Sequence, residues 1–176
     1  NALANLGYSE VYSAQAIERA EPEVYEMAMS YLQQGLKLSQ QLSDRQSLSL
    51  CCSSLGAAHL VLSQPQAAID YLQSGFQAAQ ASGDLYLQGL NLANLAEAYY
   101  GLQQTEKAIY VGCIGMYMLE RIASPEWRQA AGLLTILQGQ IGEAFQKILA
   151  QYRSQIISAI GVDGYDYIPQ LLANYR

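Results

Sequence analysis

The sequence predicts an all-α chain of stacked helix-turn-helix repeats, a solenoid, and three observations carry that reading. Letters recur at a fixed interval. Leu55 returns as Leu95, Gly56 as Ala96, His59 as Tyr99, Ala68 as Ala108 and Gly75 as Gly115, each pair 40 residues apart. A period of 20–50 residues marks an array whose units bury their apolar faces on their neighbours. Breakers such as Pro22, Pro65, Gly83 and Pro125 punctuate the apolar segments where helices should stop or start. Tyr and Ile recur at helical spacing rather than in the alternation a half-buried strand requires.

Four repeats follow, at about residues 1–43, 44–83, 84–123 and 124–160, with a C-terminal cap at 161–176. Leu3–Gly7 reads L-A-N-L-G and echoes Leu92–Ala96, so it belongs to the first helix of repeat 1, prolonged through Ser13–Ala20. Glu21-Pro22-Glu23 starts the second helix, with Pro in the first turn and acids at the positive helix end. That helix runs from Pro22 to Leu42. The segment between the two helices of repeat 1 is nine residues longer than in repeat 2, an insertion.

Ser43-Asp44 closes this helix and caps the next, Arg45–Leu62. Ser63-Gln64-Pro65 is a turn into Gln66–Ala81. In Ser82-Gly83-Asp84, Gly ends one helix and Asp caps the next, Leu85–Gly101. Thr105 is expected to cap a helix reaching Ile122. Ser124 is expected to cap the following one, with Pro125 at its first position and its end at Leu137. A break near Gly139–Gly142 leads to a helix over Glu143–Ile160, and here the period shortens to 36. Gly161-Val162-Asp163-Gly164 reads as a turn. The last helix carries Ile168, Leu171, Leu172 and Tyr175 on one side, as an end cap requires.

Composition bounds the function. Of 176 residues 51% are hydrophobic, but only 14% are charged, against about 25% in a typical domain. Gln and Ser occupy surface positions instead, a composition that suggests a bacterial source. The formal charge is −6 and nine basic residues form no cluster, which argues against nucleic acid as the partner. The three cysteines, Cys51, Cys52 and Cys113, form no C-x-x-C pair and read as reduced thiols of a cytoplasmic protein. No signal peptide is seen, and the apolar run Ala108–Leu119 is too short to span a bilayer. Asn1 in first place, without Met, is what a fragment or a processed chain would show. Phosphate-loop, dinucleotide and zinc-protease motifs are absent, and a single histidine leaves no nucleophile–histidine–acid set. No enzyme, cofactor or metal site is expected.

The pattern L-G-x-x-H/Y, followed nine residues on by A-I-x-x-x-x-x-G, resembles the tetratricopeptide repeat. Leu55, Gly56, His59, Ala68, Leu72 and Gly75 match its slots. Leu95, Ala96, Tyr99, Ala108 and Gly115 match again, with Gly112 where a large residue is usual. Repeats 1 and 4 depart from it, with Glu10 and Thr135 in the aromatic slot. The 40-residue period is similar to the variant found in kinesin light chains and cell-polarity adaptors. The resemblance implies a right-handed superhelix whose first helices line a concave groove. It implies a scaffold that binds a protein or an extended peptide.

Asn5 and Asn94 precede the small slot on the first helices of repeats 1 and 3, and Ser54 holds that place in repeat 2. In the kinesin-light-chain type such an Asn faces the groove and bonds the peptide backbone, as an amide with both donor and acceptor can. The competing reading is local bonding between helices. The carboxylate-clamp slots hold Ala4, Ser53, Ala93 and Gln129, then Tyr8, Ala57, Glu97 and Leu133, none basic. A ligand with an acidic C-terminal clamp is therefore not expected. The groove reads as apolar, with Tyr8, Tyr12, Leu60, Val61 and Tyr100 on or near it. Glu97 reads as an exposed helix charge, or else as a selector of a basic ligand residue.

One stripe on the second helices is polar twice, at Ser30, Gln33, Gln34 and Lys37 and at Asp70, Gln73, Ser74 and Gln77. It is apolar once, at Tyr110, Cys113, Ile114 and Tyr117. An apolar face of this kind calls for a cover. The cover is a second copy of the chain (a homodimer), a partner, the C-terminal helix, or repeat 4 brought over by superhelical twist. His59, aligned with Tyr99, reads as a packed core histidine, and Cys51-Cys52 as packing. Glu18, Glu21, Glu23 and Glu26 form a solvated acidic face that could also attract a basic partner. The alternative to a free-standing scaffold is a regulatory or sensor segment of a larger bacterial signalling protein, self-associating through the apolar stripe.

Overall fold

The computed structural model describes Ala2 and residues 22–175, and every described element is an α-helix. In order these are α1 (Pro22–Leu42), α2 (Arg45–Val61), α3 (Pro65–Ser82), α4 (Leu85–Gly101), α5 (Thr105–Arg121), α6 (Trp127–Ile141), α7 (Glu143–Gln151) and α8 (Arg153–Tyr175). The expected first helix of repeat 1, with Asn5, Tyr8 and Tyr12, lies outside the described residues, as does most of the expected acidic insertion. The chain divides into two compact units, Asn1–Leu87 and Gln88–Arg176.

The ends of α1 to α5 share one device. Ser43, Ser63, Gly83, Gln103 and Ala123 all adopt positive φ, between 55° and 73°. Successive members are 20 residues apart, half of the 40-residue sequence period. At each, the following N–H reaches back five residues: Asp44 to Ser39, Gln64 to His59, Asp84 to Ala79, Gln104 to Tyr99 and Ser124 to Leu119, at 2.8–3.0 Å. This is the Schellman closure, which satisfies carbonyls a helix end leaves bare. Only Gly83 adopts it without steric cost. Asp44 and Asp84 then cap the next helices, accepting from the backbone N–H of Ser47 and Leu87, each at 3.0 Å.

In the first unit, Ala28 and Leu32 of α1 meet Cys51, Leu55 and Ala58 of α2 in one core. Eight consecutive residues of α2, Cys51–Ala58, are buried. A helix buried on all sides must be made of small residues, and here seven of the eight are Cys, Ser, Gly or Ala, with Leu55 the one large residue. A methyl group at Gly56 would stand 2.4 Å from Leu72 Cγ of α3. The Ser49 hydroxyl donates to the Gly75 carbonyl at 2.8 Å. As the chain advances from 49 to 56 its partner retreats from 75 to 72, so α2 and α3 run antiparallel.

The second unit repeats the arrangement with different sizes. A methyl at Gly115 of α5 would meet backbone of α4, 2.8 Å from Ala93 N and 2.9 Å from Gly89 O. Gly112, which replaces the expected large residue, lies against Ala96 and Leu134, so α6 fills the space that Leu72 fills in the first unit. Leu134 and Leu137 of α6, Phe145 of α7 and Ile156 and Ile168 of α8 complete the core.

Four expectations are corrected. Thr105 is the first helical residue, and Gln104 holds the cap position without a side-chain bond to the helix backbone. Ser124 does not cap from Pro125 onward: its hydroxyl bonds the Glu126 carboxylate, and i→i+3 turns at 124–126 delay the helix to Trp127. The expected helix Glu143–Ile160 is broken at Tyr152. The expected turn at 161–164 shrinks to Gly161 alone, whose φ 80° and ψ 169° belong to a region only glycine adopts.

Candidate functional site

Asn94, Glu97 and Tyr100 lie three residues apart on α4, which places them along one side of the helix. Their partners come from α6. The Gln129 amide donates to Glu97 Oε1 at 2.8 Å and to Asn94 Oδ1 at 3.4 Å. Further along, Gln140 Nε2 donates to the Tyr100 hydroxyl at 3.2 Å. Partner numbers rise together on the two helices, so α4 and α6 lie side by side in the same sense, as corresponding helices of successive repeats do. Gln129, Gln140 and Tyr100 are exposed, and Tyr100 keeps 38% of its surface.

Beneath this exposed row the polar groups are incompletely paired. Asn94 is only 3% exposed, and its Nδ2 is buried with no hydrogen-bond partner. Glu97 is half-buried. Desolvation raises its carboxyl above the usual carboxylate range, and the Gln129 bond offsets part of that rise. Lys107 and Arg128 are engaged elsewhere. Lys107 lies over the Tyr99 ring at 5.3 Å and bonds Gln104, while Arg128 lies over Trp127 at 5.2 Å. Asn94 and Glu97 are thus brought together, but by Gln129, which sequence spacing assigned only to a vacant clamp slot. No periodic signal could have found it, because the bridge depends on how α6 packs.

The other expected groove positions behave differently. Ser54 and Ala57 are buried in the first unit, and the Ser54 hydroxyl is committed to the Leu50 carbonyl at 2.9 Å. His59 is not fully buried. It stacks on Tyr71 with centroids 5.3 Å apart, and its Nδ1 pairs with Gln64 Oε1 at 2.7 Å. The cysteines are buried thiols: desolvation pushes Cys51 up to about 11, Cys52 up to about 12, and Cys113 further still.

The apolar stripe on α5 is covered by the chain itself. Cys113 is 0% and Ile114 3% exposed. Tyr110 stacks on Tyr152 at 5.0 Å, and Glu106 accepts from Gln151 and Tyr152 beside it. Tyr117 lies against Gly164 of α8. The stripe's two most apolar members are therefore not open to a second copy, and its two tyrosines lie against Tyr152, within the expected fourth repeat, and Gly164, within the expected cap. A separate concavity of about 360 Å³ lies between the α5–α6 turn and α8, with Glu120, Arg128 and Tyr167 among its walls.

No protein-family model matches the chain, and no curated protein matches it. Among the described residues no helix is long and apolar enough to cross a membrane.

Proposed function

We propose that the protein is a non-catalytic binding scaffold of tetratricopeptide type, taking a protein or peptide segment on the face formed by α4 and α6. The observation that carries this reading is the row of exposed amides and phenol, Gln129, Gln140 and Tyr100, set over the buried and half-paired Asn94 and Glu97. Side chains of this kind donate and accept without a committed charge, which suits an extended backbone. The 40-residue recurrence and the small residues at the helix crossings support the repeat class. Buried free thiols fit a reducing, cytoplasmic setting.

The test is capture from a lysate of the source cell on immobilised wild-type chain and on a Tyr100→Ala/Gln140→Ala double variant. Both positions are exposed, so the variant should keep its helical circular dichroism and melting temperature. We expect one or more proteins retained by the wild type and lost by the variant. An identical set on both would move the working surface away from α4 and α6.

A further inference from the structure

The α4/α6 face contains a carboxylate that lacks a cation and an amide that lacks an acceptor, side by side. A carboxylate offers about four lone-pair sites. Gln129 occupies one of those on Glu97, with a neutral donor. Among the described residues Glu97 has no Lys or Arg partner, and Lys107 and Arg128 lie over aromatic rings. Asn94 Nδ2 carries two N–H groups that are shielded from water and donate to nothing. Leaving such donors unmade costs free energy that a ligand acceptor would recover. Gln129, which donates to the Oδ1 of the same amide, is itself exposed.

We propose that this face selects an extended peptide bearing a lysine or arginine, whose cation takes the place of the Gln129 amide on Glu97 while a peptide carbonyl accepts from Asn94 Nδ2. This rests on the binding reading above. In the free protein Gln129 then acts as a stopper: it donates to Glu97 Oε1 and Asn94 Oδ1 but leaves Asn94 Nδ2 unpaired, and a better-matched ligand displaces it. Charge-assisted hydrogen bonds are roughly twice as strong as neutral ones, so the exchange favours a cation over the resident amide. The formal charge of −6 draws a basic peptide toward the chain at long range. An acidic ligand would meet Glu97 as an unpaired like charge and be rejected.

The experiment uses the full chain and fluorescent, acetylated and amidated nonapeptide pools. Each pool is degenerate in neutral residues, with one position fixed as Arg or as norleucine. Anisotropy is read for wild type, Glu97→Gln, Gln129→Ala and, as a control of equal charge change, Glu143→Gln, an exposed position. We expect at least one Arg-fixed pool to bind wild type about ten-fold tighter than its norleucine counterpart, the order of one charged hydrogen bond. That ratio should fall to near one in Glu97→Gln, persist in Gln129→Ala and be unchanged in Glu143→Gln. Binding without an Arg preference, or a preference that survives Glu97→Gln or falls equally in Glu143→Gln, overturns the proposal and leaves the scaffold reading standing. Failure of every pool to bind folded wild type overturns both.

Discussion

Glu97 also leaves a signature without any ligand. Its carboxyl titrates above the ordinary 4.5 because burial disfavours the charged form. An acid whose folded value is raised contributes stability that is fully present below the unfolded value and is lost as pH rises through the folded value. Glu97→Gln, which never ionises, escapes that loss. We therefore expect the variant's stability advantage over wild type to grow as pH is raised from 4 to 7, measured as urea midpoints at fixed salt. An advantage independent of pH would mean that Glu97 is well solvated. A second expectation concerns Ala123, which is exposed and held at φ 55°. The left-handed conformation costs an L-residue roughly 1–2 kcal/mol, partly offset by the entropy glycine loses on folding. Ala123→Gly should stabilise by about 0.5–1 kcal/mol, whereas Gly83→Ala, at φ 73° with open space around its Cα, should destabilise by a similar amount. Opposite signs in chemical denaturation are the check.

The contact of α2 with α3 turns on one pair. A methyl at Gly56 collides with Leu72, so Gly56→Ala should cost about 1–3 kcal/mol and Leu72→Ala about 2–5 kcal/mol. The double variant should cost less than the sum by about 1 kcal/mol or more, because removing the isobutyl group makes room for the methyl. Strict additivity in a double-mutant cycle would show that the helices separate instead of clashing. The same pair explains what the sequence made legible. Small and large letters at 56, 72, 96 and 115 stated the crossings directly, and Pro22, Pro65 and Gly83-Asp84 stated helix ends in residues whose backbone preferences are local. The positive-φ closures at Ser63, Gln103 and Ala123 carry no such letter. There the spacing of the helices imposes the conformation, and residues without a preference for it comply. The break at Tyr152 was equally silent, since neither Gly nor Pro marks it. In the candidate site, Asn94 and Glu97 were legible because they share one helix. Their pairing through Gln129 was not, because it joins two helices 32 or more residues apart in sequence.

Burial across the chain sets how it should come apart. Ile114 is 3% exposed, so Ile114→Glu should bury an unpaired charge and abolish the cooperative melt. A normal melt with a changed mass in solution would instead restore that stripe as an oligomer surface. The described parts of the two units differ in the apolar bulk they hide. Among the described residues, the largest fully buried side chains of the first unit are Leu32, Leu55 and Leu72, packed with small and hydroxyl-bearing neighbours. Those of the second include Phe145, Met116, Ile109, Leu134, Leu137, Ile156 and Ile168. Apolar burial contributes roughly 25 cal/mol per Å², so the first unit should open at lower denaturant. Its thiols, Cys51 and Cys52, and the single thiol of the second, Cys113, are buried and report opening by becoming accessible to alkylation. Pulsed labelling across a urea series, read by mass spectrometry on peptides, should show Cys51 and Cys52 modified at a lower midpoint than Cys113. The two midpoints should be separate, each unit opening on its own core. One coincident midpoint for all three thiols would mean that the units unfold as one cooperative body, and Cys113 reacting first would reverse the order of stability argued from their cores.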